Sequence, residues 1–145
     1  MARYATGTFI PKNKKKYIGE KYPTFRSGWE KRVFQWLDET PKVISWASEP
    51  IKIPYINPLK QDGRGKPNHY IPDILFTYLD KSNNRVTELL EIKPSRPAIK
   101  ELAKTKKDRE AYIVNEAKWK QAEGWCKVHG ISFRILTEKD IFGIK

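Results

Sequence analysis

The sequence is poor in residues that tie small folds together through covalent or metal links. It holds one cysteine, Cys126, one methionine and two histidines, His69 and His129, in 145 residues. A single thiol forms no internal disulfide, and one Cys with two His does not complete a four-ligand zinc site. The chain therefore reads as a zinc-free fold for a reducing compartment. Long apolar runs are missing too: none approaches the ~18 residues a bilayer span needs, and no charged-then-apolar leader precedes Lys12. Acids are outnumbered, 17 Asp and Glu against 29 Lys and Arg, which leaves a formal charge of +12. A polyanion, nucleic acid first, is then the expected partner. Ribosomal, structural and lipid-binding proteins share this balance, so charge alone names no activity.

What the chain does have is aromatic bulk. Five Trp, seven Tyr and six Phe within 39% hydrophobic residues are enough to bury one core, and the length suits one domain. A basic arm over residues 1–22 is expected to precede a single domain over 23–145. Residues 1–32 carry nine Lys and Arg against Glu20 and Glu30, so Lys12, Lys14, Lys15, Lys16 and Arg26 are candidate phosphate contacts. The plain alternative is a solvated terminus.

Between Ser27 and Glu39, Trp29, Val33, Trp36 and Leu37 recur at helical spacing, and Pro41 stops the run. Ser27 with Glu30 three residues on fits a capping box. Extended pieces follow at Val43–Trp46, Ile51–Tyr55, Tyr70–Tyr78 and Val86–Lys93. A long loop is expected from Asn57 to Asn68, and a hairpin turn from Asp80 to Arg85. Residues 96–109 form a second basic patch, in which Lys104, Lys106 and Lys107 either track phosphates or face solvent. A helix is expected from Asn115 to His129, with Gly130 as its C-cap, carrying Lys118 as a further DNA contact and Cys126 in the core. A strand from Ile131 to Leu136 and a terminal turn over Thr137–Phe142 close the chain.

The chemistry concentrates on one predicted hairpin. Strand side chains alternate, so Glu91 and Lys93 share a face, and cross-strand pairing can set Asp73 of Pro72–Asp73 beside Glu91. Two neighbouring carboxylates repel, and a divalent cation with oxygen preference relieves that repulsion; Mg²⁺ fits best. Separately the pieces read as a surface ion pair and a turn. Together, in a chain of this charge, they point to a metal-dependent nuclease.

At these residues the sequence resembles the PD-(D/E)XK superfamily, with Pro72–Asp73 and Glu91–Ile92–Lys93 as its signature. The helix FRSGWEKRV (25–33) is similar to the first helix of phage endonuclease I resolvases and TnsA-type transposon endonucleases. RSGWEKRVFQWLDE, ISWASEPIKIPY, YIPDI, LEIKP, NEAKWKQA and GISFRILTE, in that order, resemble the head completion nucleases of T-even-like phages. The resemblance implies an α/β, restriction-endonuclease-like αβββαβ core. It also implies Mg²⁺ (or Mn²⁺) on Asp73, Glu91, the Ile92 carbonyl and Glu30, with Lys93 serving the attacking water and the phosphate. Glu49 is a fourth, less central acid. The implied partners are double-stranded DNA and phage portal or neck proteins. The implied setting is the bacterial host cytoplasm or the virion, with a monomer favoured. The chain has a longer loop before Asp73 than the endonuclease I pattern and bulk at Trp29, so junction resolution is not implied.

One motif competes. Tyr17–Ile18–Gly19 spells half of a GIY-YIG nuclease signature, but no Gly-Ile-Tyr precedes it, and His69 and His129 lie too far apart for an HNH turn. Outside this superfamily reading, the rival is a non-enzymatic DNA-binding virion protein. Within it, the rival is a resolvase or transposon-end endonuclease.

Overall fold

In the computed structural model, which describes residues 6–61, 63–93 and 102–141, the elements run in the order expected for the core. They are β1 (Gly7–Thr8), a 3-10 turn (Lys14–Lys16), β2 (Thr24–Phe25), α1 (Gly28–Glu39), β3 (Val43–Ser48), β4 (Ile53–Asn57), β5 (Lys66–Tyr70), β6 (Ile74–Leu79), β7 (Arg85–Ile92), α2 (Lys106–His129), β8 (Ser132–Leu136) and α3 (Glu138–Ile141). Ser27 starts α1 as its spacing predicts: its hydroxyl accepts the Glu30 N–H at 3.1 Å. Val33, Phe34 and Leu37 turn one face of that helix into the core, where Trp46, Ile74, Phe76, Leu90 and Leu136 meet them. Each fully buried side chain of this size contributes about 1.5–3 kcal/mol.

The central sheet has the order β3-β6-β7-β8. Its first three strands are antiparallel neighbours, and β7 runs parallel to β8, which requires a crossover. α2 supplies it and packs Trp119, Ala122 and Cys126 on the face opposite α1, against Leu89 and the β4 side chains Ile53 and Tyr55. Alternation along β7 thus sends Leu90 and Ile92 to the α1 side and Leu89 and Glu91 to the α2 side.

Three expectations need correction. The stretch from Asn57 to Asn68 is not all loop: Lys66–Tyr70 pairs antiparallel with Ile53–Asn57 as a separate two-stranded sheet. Its tip turns through Gln61, Gly63 and Gly65, all with positive φ, and a Cβ on Gly65 would meet Ile56 at 2.5 Å. Second, the piece read as one strand from Tyr70 to Tyr78 is two, in different sheets, separated by Ile71–Asp73. Buried Pro72, which has no N–H for a ladder, sits in that break. Third, the long helix begins nine residues before Asn115. Thr105 caps it, accepting the Asp108 N–H at 3.0 Å, and Asn115 is buried in its interior.

The leader is tied down where it is described. Phe9 and Tyr17 pack on the α1 core, and the Lys12 and Asn13 N–H groups each donate 2.9 Å bonds to the buried carboxylate of Asp38. Arg3, Arg96, Lys100 and Phe142 lie outside the described residues. Among the described residues no helix is long and apolar enough to cross a membrane.

Candidate active site

The register that builds the central sheet also builds the site. Ile74 pairs with Leu90, so Asp73, one residue earlier, falls opposite Glu91, one residue later. The Ile92 N–H donates to the Asp73 carboxylate at 2.6 Å and pins it across the strands. Lys93 closes the ladder by donating its N–H to the Leu136 carbonyl at 2.9 Å, and its ammonium lies 3.6 Å from Glu91 Oε2. Asp73, Glu91 and Lys93 are thereby brought together, with Glu91 only 5% exposed.

Burial dominates the electrostatics. It raises the Asp73 carboxyl well above its ordinary range; the Glu91 charge adds to this, and the Ile92 N–H and Lys93 only partly oppose it. Glu91 is raised by burial as well, against the pull of Lys93 and the Tyr70 hydroxyl. The two carboxyls sit within hydrogen-bonding reach of each other. Such a pair holds a proton between its members unless a cation takes its place.

Tyr70 and Lys118 complete the wall. The Tyr70 hydroxyl donates to Glu91 Oε1 at 2.8 Å, and burial beside that carboxylate pushes the phenol upward. Lys118 comes from α2 with its ammonium 5.8 Å from both the Tyr55 and Tyr70 ring centres. Burial, followed by the Lys93 charge, lowers it. Sequence reasoning placed Lys118 among the DNA contacts without seeing that it stands at the carboxylates. It missed Tyr70, because the break between β5 and β6 that aims it at Glu91 leaves no trace in residue spacing.

Glu30 is at the rim. Its carboxylate accepts the Arg26 N–H at the start of α1, so its cap role is real, shifted by one residue from the Ser27 N–H of a standard capping box. Its charge still reaches Asp73 and helps to raise it. Among the described residues no group of three or more His, Cys, Asp or Glu is close enough to hold a metal, so Asp73 and Glu91 stand as a pair with Glu30 outside it. Glu49 is further round the rim: its N–H donates to the Asp73 carbonyl at 2.8 Å, and its carboxylate pairs with Arg26 at 2.6 Å.

The proposed phosphate contacts are spread. Lys14 and Lys15 are exposed, and so are Lys104, Lys106 and Lys107 around the start of α2. Lys12 lies 3.6 Å from Glu39. Lys16 is already engaged, donating to the Asp38 and Thr40 carbonyls at the C-terminal end of α1 at 3.0 and 2.6 Å.

Residues 40–138 match the model of the TnsA-like endonuclease N-terminal family. The chain belongs to that family. It is a nuclease with the restriction-endonuclease-like architecture that the αβββαβ order gives. It is also 39% identical over 144 residues to the "Head completion nuclease" of Enterobacteria phage T4, covering 92% of this chain and 91% of that protein. The matched family segment contains Asp73, Glu91, Lys93 and Lys118 and leaves out Glu30, which only the phage relative's alignment is long enough to reach.

Proposed function

We propose that this chain is a Mg²⁺-dependent deoxyribonuclease that acts on packaged phage DNA during head completion and head–tail joining. The observation that carries the reading is the crowding of Asp73 and Glu91, a half-buried acid just before β6 held against a buried one on β7, with a lysine beside them. Their oxygens, with the Ile92 carbonyl, are a hard, oxygen-only donor set that suits Mg²⁺ and is satisfied by Mn²⁺. Glu30 stands by as a third, outer carboxylate. When bound, the ion supplies Lewis-acid polarisation of the phosphate and of water.

The chain's own groups do the rest. Tyr70 fixes Glu91 through one oxygen, which leaves the other toward Lys93. Lys93 orients the attacking water and neutralises charge growing on the phosphoryl oxygens. The exposed lysines at 12, 14, 15, 104, 106 and 107 give the duplex a cationic approach, with Arg26 and Lys118 nearer the carboxylates. Asp38, where the leader is tied, is eight residues along α1 from Glu30, about 12 Å at 1.5 Å per residue. One duplex can therefore reach both. The kinship to a phage head completion nuclease supports action in the infected bacterial host; contact with portal or neck proteins is a further part of the proposal. In this reading the chain acts as a monomer.

The test is nicking of supercoiled plasmid by the purified protein in Mg²⁺, with EDTA and Asp73→Asn as controls. Mg²⁺-dependent nicking absent from Asp73→Asn is expected. Equal nicking by Asp73→Asn, or none by the parent in any divalent metal, would remove the assignment.

A further inference from the structure

A cavity of about 620 Å³ does not belong to the carboxylate site but opens beside it. Its walls come from the Tyr17–Ile18–Gly19 motif, from Tyr22, and from the end of β3 with Glu49. Tyr17 is a fixed wall: it stands edge-on to Trp46 at 4.8 Å, and its hydroxyl faces the Ser48 N–H at 3.5 Å. Gly19 is moulded to it, since a Cβ there would come within 2.4 Å of the Tyr17 hydroxyl. Tyr22 meets the Tyr17 ring edge-on at 6.2 Å yet is 42% exposed, and Ile18 is 61% exposed. Two bulky apolar side chains thus stay in water where the core has no use for them.

Polar groups of both signs line the same cavity: Lys21 and Arg26, and Glu20 and Glu49. A run of phosphates would be repelled by half of them. A nucleoside would suit all of them, because carboxylates accept from exocyclic amino groups, cations take the flanking phosphate, and an aromatic ring takes the base. The cavity is also joined to the carboxylates through Arg26 and Glu49, which pair with each other while Glu49 bonds the Asp73 backbone.

We infer that this cavity receives an unpaired nucleotide of the DNA strand next to the cleaved phosphate, stacked on Tyr22, so that frayed ends and unpaired positions are preferred over intact duplex. The inference rests on the nuclease reading above. Unstacking a paired base costs a few kcal/mol, whereas a mismatched or single-stranded base is already free. The preference therefore arises at binding, upstream of hydrolysis.

Two measurements test it on the full chain, using Tyr22→Ala, an exposed position where truncation leaves the core intact. Fluorescence anisotropy with labelled four-nucleotide oligodeoxycytidylate, whose bases carry an exocyclic amino group, reads the pocket in EDTA without catalysis. About tenfold weaker binding by Tyr22→Ala is expected, and equal affinity would overturn the inference. Cleavage in Mg²⁺ is then compared between a duplex with one unpaired nucleotide and its fully paired counterpart. The parent is expected to favour the unpaired substrate about tenfold, and Tyr22→Ala to lose that ratio while cutting paired duplex within about twofold of the parent. A parent with no preference, or a variant that keeps it, would overturn the inference. Absence of all cleavage would remove the nuclease reading, and the anisotropy arm would still decide the pocket.

Discussion

Glu88 and Glu91 lie on the same strand, three residues apart, at 9% and 5% exposure, yet they do opposite things. Glu88 faces the α1 side, where Arg134 lies 2.9 Å from Oε1 and the Tyr78 hydroxyl donates to Oε2 at 2.6 Å. Oε2 is hydrogen-bonded, and Oε1, which no hydrogen bond reaches, is faced by a full cation. Glu91 faces the α2 side, with one tyrosine hydroxyl, a lysine at 3.6 Å and a second carboxyl within reach. Burial is common to both and marks neither as functional. The mark is the company of Glu91, an acid beside another acid that folding alone has no reason to assemble.

Substitutions on the two faces should therefore separate cleanly. The largest effect belongs to Asp73→Asn and Glu91→Gln, each expected to lower plasmid nicking by at least about a thousandfold and to weaken Mn²⁺ binding in a titration. Lys93→Met comes next. Cleavage should fall about a hundredfold or more, in the range of removing one charge-stabilising donor, while metal affinity holds or tightens because a competing cation is gone. Glu88→Gln should do the reverse of both: nicking within about twofold of the parent, and a loss of stability of about 1–2 kcal/mol in urea melts, modest because Arg134 is half exposed. If Glu88→Gln stopped cleavage, the contrast between the faces would collapse.

The smallest effect is one of pH on the metal-free protein. Asp73 binds its proton more tightly folded than unfolded. The folded state thus holds more protons between the unfolded value, about 3.9, and the raised folded one. The stabilisation this gives is complete below that window and is lost as pH rises through the folded value. Melting temperature in EDTA should accordingly drop by a few degrees from mildly acidic to neutral pH, and the drop should shrink in Asp73→Asn. An identical profile in the variant would show that the crowded pair carries no repulsion.

The Glu91 half of this contrast is legible in the residues alone, because a hairpin with period-two alternation fixes which side chains meet: Pro72–Asp73 and Glu91–Ile92–Lys93 need only register. The first helix is legible from apolar spacing and its Ser27 cap. Harder to read is β5, whose Lys66-Pro67-Asn68-His69 has neither alternation nor apolar content and is a strand only because β4 pairs with it. The start of α2 is obscured by Lys106-Lys107-Asp108-Arg109-Glu110, although Thr105 and Asp108 carry a capping signature. Tyr70 and Lys118 are invisible as site residues, since one reaches Glu91 through an unforeseen strand break and the other across the sheet from a crossover helix.

The parallel pairing of β7 with β8 has a consequence in time. The backbone of Lys93 is held by the carbonyl of Leu136, forty-three residues later in the chain and beyond the whole of α2. During synthesis at about 5–20 residues per second, that bond has no partner until those forty-three further residues have been made. A nascent chain that has passed Lys93 but not reached Leu136 therefore lacks the bond that fixes the end of β7 beside the carboxylates. In a chain stopped at residue 130, fast amide exchange at Lys93 and absence of nicking are the expected signs of this built-in delay.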